Sequence, residues 1–242
     1  MKTFQYTQIG VVRSCFTEKF GAPRQSGLVF DAPGVVELFP PFDDAEAFRG
    51  IEGFSHIWLF WHFHAIRADG SWQATVRPPR LGGNRRIGVF ASRSPYRPNP
   101  VGLSAMRLIR VSKEGGGLKL HVRGLDLIDG TPILDIKPYL PYTDAIQASG
   151  GYASEAPSMR PVSFAPEIEG RLEVLRHNGY PGLKDLIANI LGLDPRPAYK
   201  TDKREYGMRL YDLDVLWSVD EDEFIVTDIR LPIHLQAVGN HL

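Results

Sequence analysis

Residues 106–137, MRLIRVSKEGGGLKLHVRGLDLIDGTPILDIK, decide the fold. Three short runs rich in aliphatic residues, Met106–Ser112, Leu118–Gly124 and Ile133–Lys137, are separated by KEGGG and LIDGTP. Glycine, aspartate and proline clusters between β-prone runs are turn chemistry, so the segment predicts successive strands. The same pattern runs upstream through Ile9–Arg13, Gly27–Phe30, Gly34–Leu38, His56–Ile66, Ser71–Arg77 and Arg86–Ala91. Asp44–Arg49 and Gly102–Met106 each predict one helical turn. Many strands at short spacing with few helical patterns point to a closed or nearly closed barrel, not to a βαβ sheet.

The character changes downstream. TDAIQASGGYASEAPSMRPVS at 143–163 is small, polar and broken by Pro and Gly, as a linker is. Ile168, Leu172 and Leu175 at helical spacing predict a helix over Pro166–His177, and five aliphatic residues between Leu183 and Leu191 predict another over Gly182–Leu191. DPRPAY at 194–199 makes a rigid turn, and Met208–Ser218 and Glu223–Leu231 read as strands. The chain is therefore expected to be mainly β: a barrel domain over 1–143, a linker over 144–163, and a small α+β domain over 164–235.

The 242 residues are 43% apolar and 23% charged, an ordinary globular composition. Lysine plus arginine and aspartate plus glutamate each total 28, which read naively argues against a nucleic-acid partner. The balance is uneven, though: residues 1–140 carry a net +6 and residues 141–242 a net −6. No apolar run approaches the roughly 20 residues a membrane helix needs, and MKTFQYTQIG lacks the charged-then-apolar pattern of a signal peptide. Cys15 is the only cysteine, which excludes an internal disulfide and makes a reducing cytosol the expected compartment.

Several stretches carry chemistry. RSPYRPNPVG at 93–102 is stiffened by three prolines, so Arg93, Arg97 and Asn99 stand on a rigid loop, either as a site or as a plain turn. Between positions 67 and 97 there are seven arginines, among them Arg77, Arg80, Arg85 and Arg86, one acid and no lysine. Guanidinium forks suit phosphate or carboxylate, the alternative being a solvated basic face. His62 and His64 at i and i+2 share a strand face. With no third ligand in view, a pocket-lining histidine fits better than a metal site. GAPRQSG at 21–27 holds Arg24 and Gln25 between glycines and proline, and Asp126, Asp129 and Asp135 surround a DGTP turn. The chain has no GxxxxGK[ST], GxGxxG or GxSxG motif.

IGVVRS at 9–14, EKFGAPRQSGL at 18–28, the string from Val76 to Ser104 and LDLIDGTPILDIKPYLPY at 125–142 together resemble the TrmO, or TsaA-like, tRNA methyltransferases, and DPRPAY resembles that family's C-terminal segment. The resemblance implies a small antiparallel β-barrel, a homodimer, and S-adenosylmethionine-dependent N6-methylation of the threonylcarbamoylated adenosine 3′ of the anticodon in threonine tRNA. It implies cofactor contacts at Arg24, Gln25, Ser26, His64, Ala65, Arg93, Leu103 and the turn Asp129, Gly130, Thr131 and Pro132. Ala65 stands where the family would have glutamine and Ser26 where proline is more usual. The adenine amine needs a proton acceptor, for which Asp129 and His64 are the candidates. Arg77, Arg80, Arg85, Arg86, Arg97, Asn99, Arg196 and Tyr199 are the candidates for the substrate and RNA, DPRPAY being otherwise a stiffened connection. The other classes to be excluded are a non-catalytic S-adenosylmethionine-binding module and an enzyme acting on a small acidic substrate.

Overall fold

In the computed structural model, residues 2–66, 72–196 and 204–231 are described. Six strands close a barrel in the order β1 (Gly10–Ser14), β2 (Pro33–Leu38), β7 (Gly117–Arg123), β6 (Val101–Glu114), β3 (His56–His62) and β8 (Pro132–Pro138), with β8 returning to β1. Every pairing in it is antiparallel. Alternation builds the interior: Ile57, Leu59 and Trp61 point inward from β3, Leu118, Leu120 and Val122 from β7, and Val36 and Leu38 from β2.

Four local expectations are corrected. Gly102–Met106 is not helical but opens the 14-residue β6. Its inward residues Gly102 and Ser104 are small because Trp61 lies against them, so a period of two is hidden from a hydrophobicity count. A Cβ at Gly102 would stand 2.3 Å from the Trp61 ring, and the indole N–H donates to Ser104 Oγ at 3.2 Å. Gly27–Phe30 is a turn, entered through Gly27 at φ +77. Strand β3 stops at His62, which leaves His64 in the following turn and not on a shared strand face. Of Ser71–Arg77 and Arg86–Ala91, only a ribbon of β4 (Thr75–Val76) and β5 (Ile87–Gly88) is strand, Val89–Ala91 being a 3₁₀ turn and Ser71 lying outside the described residues.

Past a short helix α1 (Pro141–Asp144), the C-terminal part forms a sheet in the order β10 (Tyr206–Leu210), β11 (Leu213–Asp220), β12 (Glu223–Arg230) and β9 (Val162–Phe164). Two helices, α2 (Pro166–His177) and α3 (Leu183–Gly192), pack against it. The single strand expected over Met208–Ser218 is two, because Tyr211 turns the chain at φ 55. The two parts share one continuous apolar core. Phe16 bridges to Leu210, and the Tyr211 N–H donates to the Cys15 carbonyl at 2.7 Å.

Candidate functional site

The DGTP turn is stitched to β1. Gly130 takes φ +76, as Asp-Gly turns demand. Its N–H donates to the Val12 carbonyl at 2.9 Å and the Asp129 N–H to Phe16 at 2.7 Å. The Asp129 carboxylate accepts from the Ser14 N–H at 2.9 Å and lies 3.8 Å from the Arg13 guanidinium. Thr131 is buried, its hydroxyl donating to the Ile128 carbonyl at 2.6 Å. Pro132 begins β8.

His64 faces this turn: a Cβ at Gly130 would stand 3.9 Å from its Nε2. Partial desolvation of the ring, with the charges of His62 and Lys19, pushes the imidazole below its ordinary pKa, and Asp129 acts weakly in the opposite sense. His64 is therefore neutral at pH 7, with a ring nitrogen free to accept a proton. Ala65 lies beside it in the same turn.

A second group converges from two loops distant in sequence. The Arg93 guanidinium donates to Gln25 Oε1, joining the proline-stiffened loop to Arg24–Ser26. The latter loop is held to the barrel by the Gly27 N–H, which donates to the Gly124 carbonyl at 2.9 Å. Gly124 itself takes φ +78 and packs on Gly27. Between the loops lies Asp126. Its Oδ1 is buried without a hydrogen-bond partner. Burial raises the carboxyl to about 6, while the Ser104 hydroxyl, the backbone N–H groups of Asp126 and Ser26, and the Arg93 charge pull it down. In sequence Asp126 is one of three carboxylates around the turn, any of which suits an amine or a hydroxyl; its burial singles it out, and a carboxylate's burial is not a property of its neighbours in the chain. Leu103 stands on the opposite face of β6 from Ser104 and is 46% exposed.

The arginines divide by use. Arg77, Arg80, Arg85 and Arg86 stand exposed on or beside the loop joining β4 to β5, and between Trp72 and Arg97 there is no carboxylate. Arg97 closes its own loop instead, donating to the carbonyls of Ser92 at 2.9 Å and Ser94 at 3.3 Å. Asn99 is exposed nearby. Arg196 is 7% exposed and forks onto Asp194 at 2.8 and 2.9 Å, over the rings of Tyr206 and Phe224. Its side chain is held within the C-terminal part by Asp194 and those rings. Tyr199 lies outside the described residues. Among those described, no cluster of three or more His, Cys, Asp or Glu is arranged to hold a metal ion, and no helix is long and apolar enough to cross a membrane.

These loops match known proteins over nearly the whole chain. The tRNA-methyltransferase O N-terminal domain matches residues 11–145 and the TrmO C-terminal domain residues 157–232. The tRNA (adenine(37)-N6)-methyltransferase of Escherichia coli (strain K12) is 46% identical over 231 residues, 93% of this chain and 97% of that protein. A putative S-adenosylmethionine-dependent methyltransferase RcsF of Pseudomonas aeruginosa is 44% identical over 92% of this chain and 96% of its own length. A crystal structure of TrmO from P. aeruginosa superposes with a TM-score of 0.80 at 38% identity, covering 96% of this chain and 99% of that one. A barrel, its site loops and an appended α+β part in one order place this chain in the TrmO family of tRNA methyltransferases.

Proposed function

We propose that this protein is a tRNA methyltransferase that uses S-adenosylmethionine to methylate N6 of the threonylcarbamoylated adenosine 3′ of the anticodon of threonine tRNA. The observations that carry the proposal are two groups joined by the chain from Asp126 to Asp129: Gln25, Arg93 and Asp126 in one, and the Asp129–Pro132 turn faced by the neutral His64 in the other. The donor set fits the cofactor: it offers a cation, a carboxyl with an unpartnered oxygen, and small backbone-rich loops. Arg24, Gln25, Ser26, Arg93 and the 129–132 turn would hold it, with His64, Ala65 and Leu103 at its borders. When bound, S-adenosylmethionine supplies an electrophilic methyl group carried on a sulfonium.

The chain's own contribution is alignment and proton handling, because displacement at carbon needs the reacting atoms in line. A delocalised adenine amine must lose a proton as it is methylated. His64 accepts it at a ring nitrogen, or the Asp129 carboxylate does. The exposed arginines 77, 80, 85 and 86 take the RNA backbone, whose contacts position the substrate without specifying its sequence. An anticodon-loop base is unpaired and can be splayed into a pocket. In this reading residues 1–143 carry catalysis and the appended domain follows, the linker expected over 144–163 ending at 161 because Val162 opens β9 of that domain's sheet; all of it works in the cytoplasm.

A homodimer belongs to the same proposal. Leu103, Val101 and Ile109 are exposed on the outer face of β6, with Phe60 opposite Leu103 on β3, and a second copy would cover them. The test is nucleoside analysis of threonine tRNA incubated with isotopically labelled S-adenosylmethionine, with and without the protein. Label must appear in the N6-methylated threonylcarbamoyl nucleoside; its absence from that nucleoside overturns the assignment.

A further inference from the structure

A buried polar atom without a partner is uncommon and calls for a reason. Asp126 Oδ1 is one of two such side-chain atoms among the described residues, the other being the Trp217 indole N–H in the C-terminal core. Asp126 has an opposite charge at hand. Arg93 is close enough to act on it electrostatically, yet the two form no ion pair, and the guanidinium donates to Gln25 instead. The reason is local. Gln25 holds Arg93 on the stiff 93–100 loop, while Ser104 on β6 and the Ser26 backbone surround the carboxyl from the barrel side. The fold thus holds a cation within electrostatic range of a buried anion and unjoined to it, each with hydrogen-bonding capacity unused.

The ligand class that completes both is one with an opposed pair of charges on neighbouring atoms. A hydroxyl alone would satisfy Oδ1 and leave the guanidinium unmatched; a carboxylate alone would do the reverse. An α-amino acid meets both, its carboxylate lying flat against the guanidinium fork and its ammonium reaching the carboxyl oxygen. In the substrate nucleoside the threonyl nitrogen is part of the carbamoyl link and carries no charge, so that group is not zwitterionic. The methionyl end of the cofactor is.

We propose that Asp126 receives the α-ammonium of the cofactor's methionyl group while Arg93 takes its α-carboxylate. The assignment rests on the S-adenosylmethionine reading above and adds to it a residue for each charge. It also makes the site selective for the intact amino-acid end over the bare nucleoside.

The test is calorimetric binding to the full chain, without tRNA and without turnover, using two ligands: S-adenosylhomocysteine and its deaminated counterpart, which keeps the carboxylate and lacks the ammonium. Wild type should prefer S-adenosylhomocysteine by roughly 10- to 100-fold, the scale of one charge-assisted hydrogen bond. In Asp126→Asn that preference should fall to within about 3-fold, with the deaminated ligand bound as by wild type; this is a double-difference measurement that cancels general damage. If the preference survives in Asp126→Asn, or if both ligands weaken together, Asp126 does not hold the ammonium and the assignment is overturned. If wild type binds neither ligand, the cofactor reading itself fails, and the assignment with it.

Discussion

The Arg24 guanidinium donates to the backbone carbonyl of Arg196 at 3.1 Å, across 172 positions of sequence. The bond ties the Arg24–Ser26 loop of the barrel to the segment 194–196 of the C-terminal part. The same face carries the Arg209 N–H donating to Glu18 at 3.0 Å and the Phe16–Leu210 bridge. The C-terminal part is thus a wall against which the candidate cofactor loop is set. Arg196 holds that wall through its buried fork onto Asp194, which leaves its carbonyl presented to Arg24.

Arg196→Ala therefore acts at two levels. Removing one partner of a buried ion pair leaves a carboxylate that Arg160, 3.6 Å away, only partly compensates. The expected loss is about 2–4 kcal/mol, which for a chain of this size lowers the melting temperature by roughly 5–12 °C. Cofactor affinity should fall as well, because the Arg24 anchor moves. Thermal denaturation and calorimetry on one preparation check both; unchanged cofactor binding in a destabilised variant would uncouple the loop from the wall.

Asp126 makes the ligand-free protein sensitive to pH. Its carboxyl is raised from 3.8 to about 6 in the folded state, so between those values the folded chain holds a proton that the unfolded chain has lost. Stability therefore falls as pH rises through that window, by up to about 3 kcal/mol. Asp126→Asn keeps the shape and omits the charge. Its melting temperature should exceed wild type at pH 7.5 and match it near pH 4. Equal melting at both pH values would mean that the carboxyl is not desolvated.

His64 predicts the acid limb of the reaction. Its folded pKa lies below the ordinary 6.5, so the neutral ring, and with it a base-dependent rate, persists below that value and is lost only as pH falls further. Single-turnover rates at saturating cofactor should show a limb with its midpoint under 6.5, absent in His64→Gln. Lys19→Ala should move the midpoint up and Asp129→Asn should move it down, since the lysine lowers and the aspartate raises the imidazole pKa. A limb at or above 6.5, or an unaltered limb in His64→Gln, would assign the proton to another group.

Arg85 and Arg86 stand exposed on the β4–β5 loop, Arg86 donating to the Thr75 hydroxyl at 3.1 Å. Replacing both by glutamate should raise the Michaelis constant for tRNA by roughly 10-fold or more, and reduce the slope of log affinity against log salt by about 1–2. Folding should be unaffected. A slope equal to that of wild type would place the RNA on another face.

Much of the architecture was legible because its causes are local. Alternation marked β2, β3, β7 and β8 within a residue or two, except where β3 was carried past His62, and helical spacing with Pro166 at the first turn set the bounds of α2. Where a cause is distant, the reading failed. Gly102 and Ser104 look like a loop or a helical turn until Trp61 from the adjacent strand is laid against them. Tyr211 breaks an apolar run because its N–H is taken by Cys15 in the barrel.

The site shows the same division. The strings proposed for the candidate site are legible locally, because an Asp-Gly turn, proline-stiffened loops and a run of arginines act through their own backbone and charge. Tertiary structure alone decided what each side chain does there. Asp126 and Asp129 stand three positions apart with the same chemistry, yet one is desolvated with an oxygen left unpartnered while the other is anchored to the Ser14 N–H and lies near Arg13. Arg93 is exposed beside a carboxyl, Arg97 is spent on its own loop, and Arg196 is buried. Desolvation and partner choice depend on atoms brought from remote parts of the chain, and no local pattern encodes them.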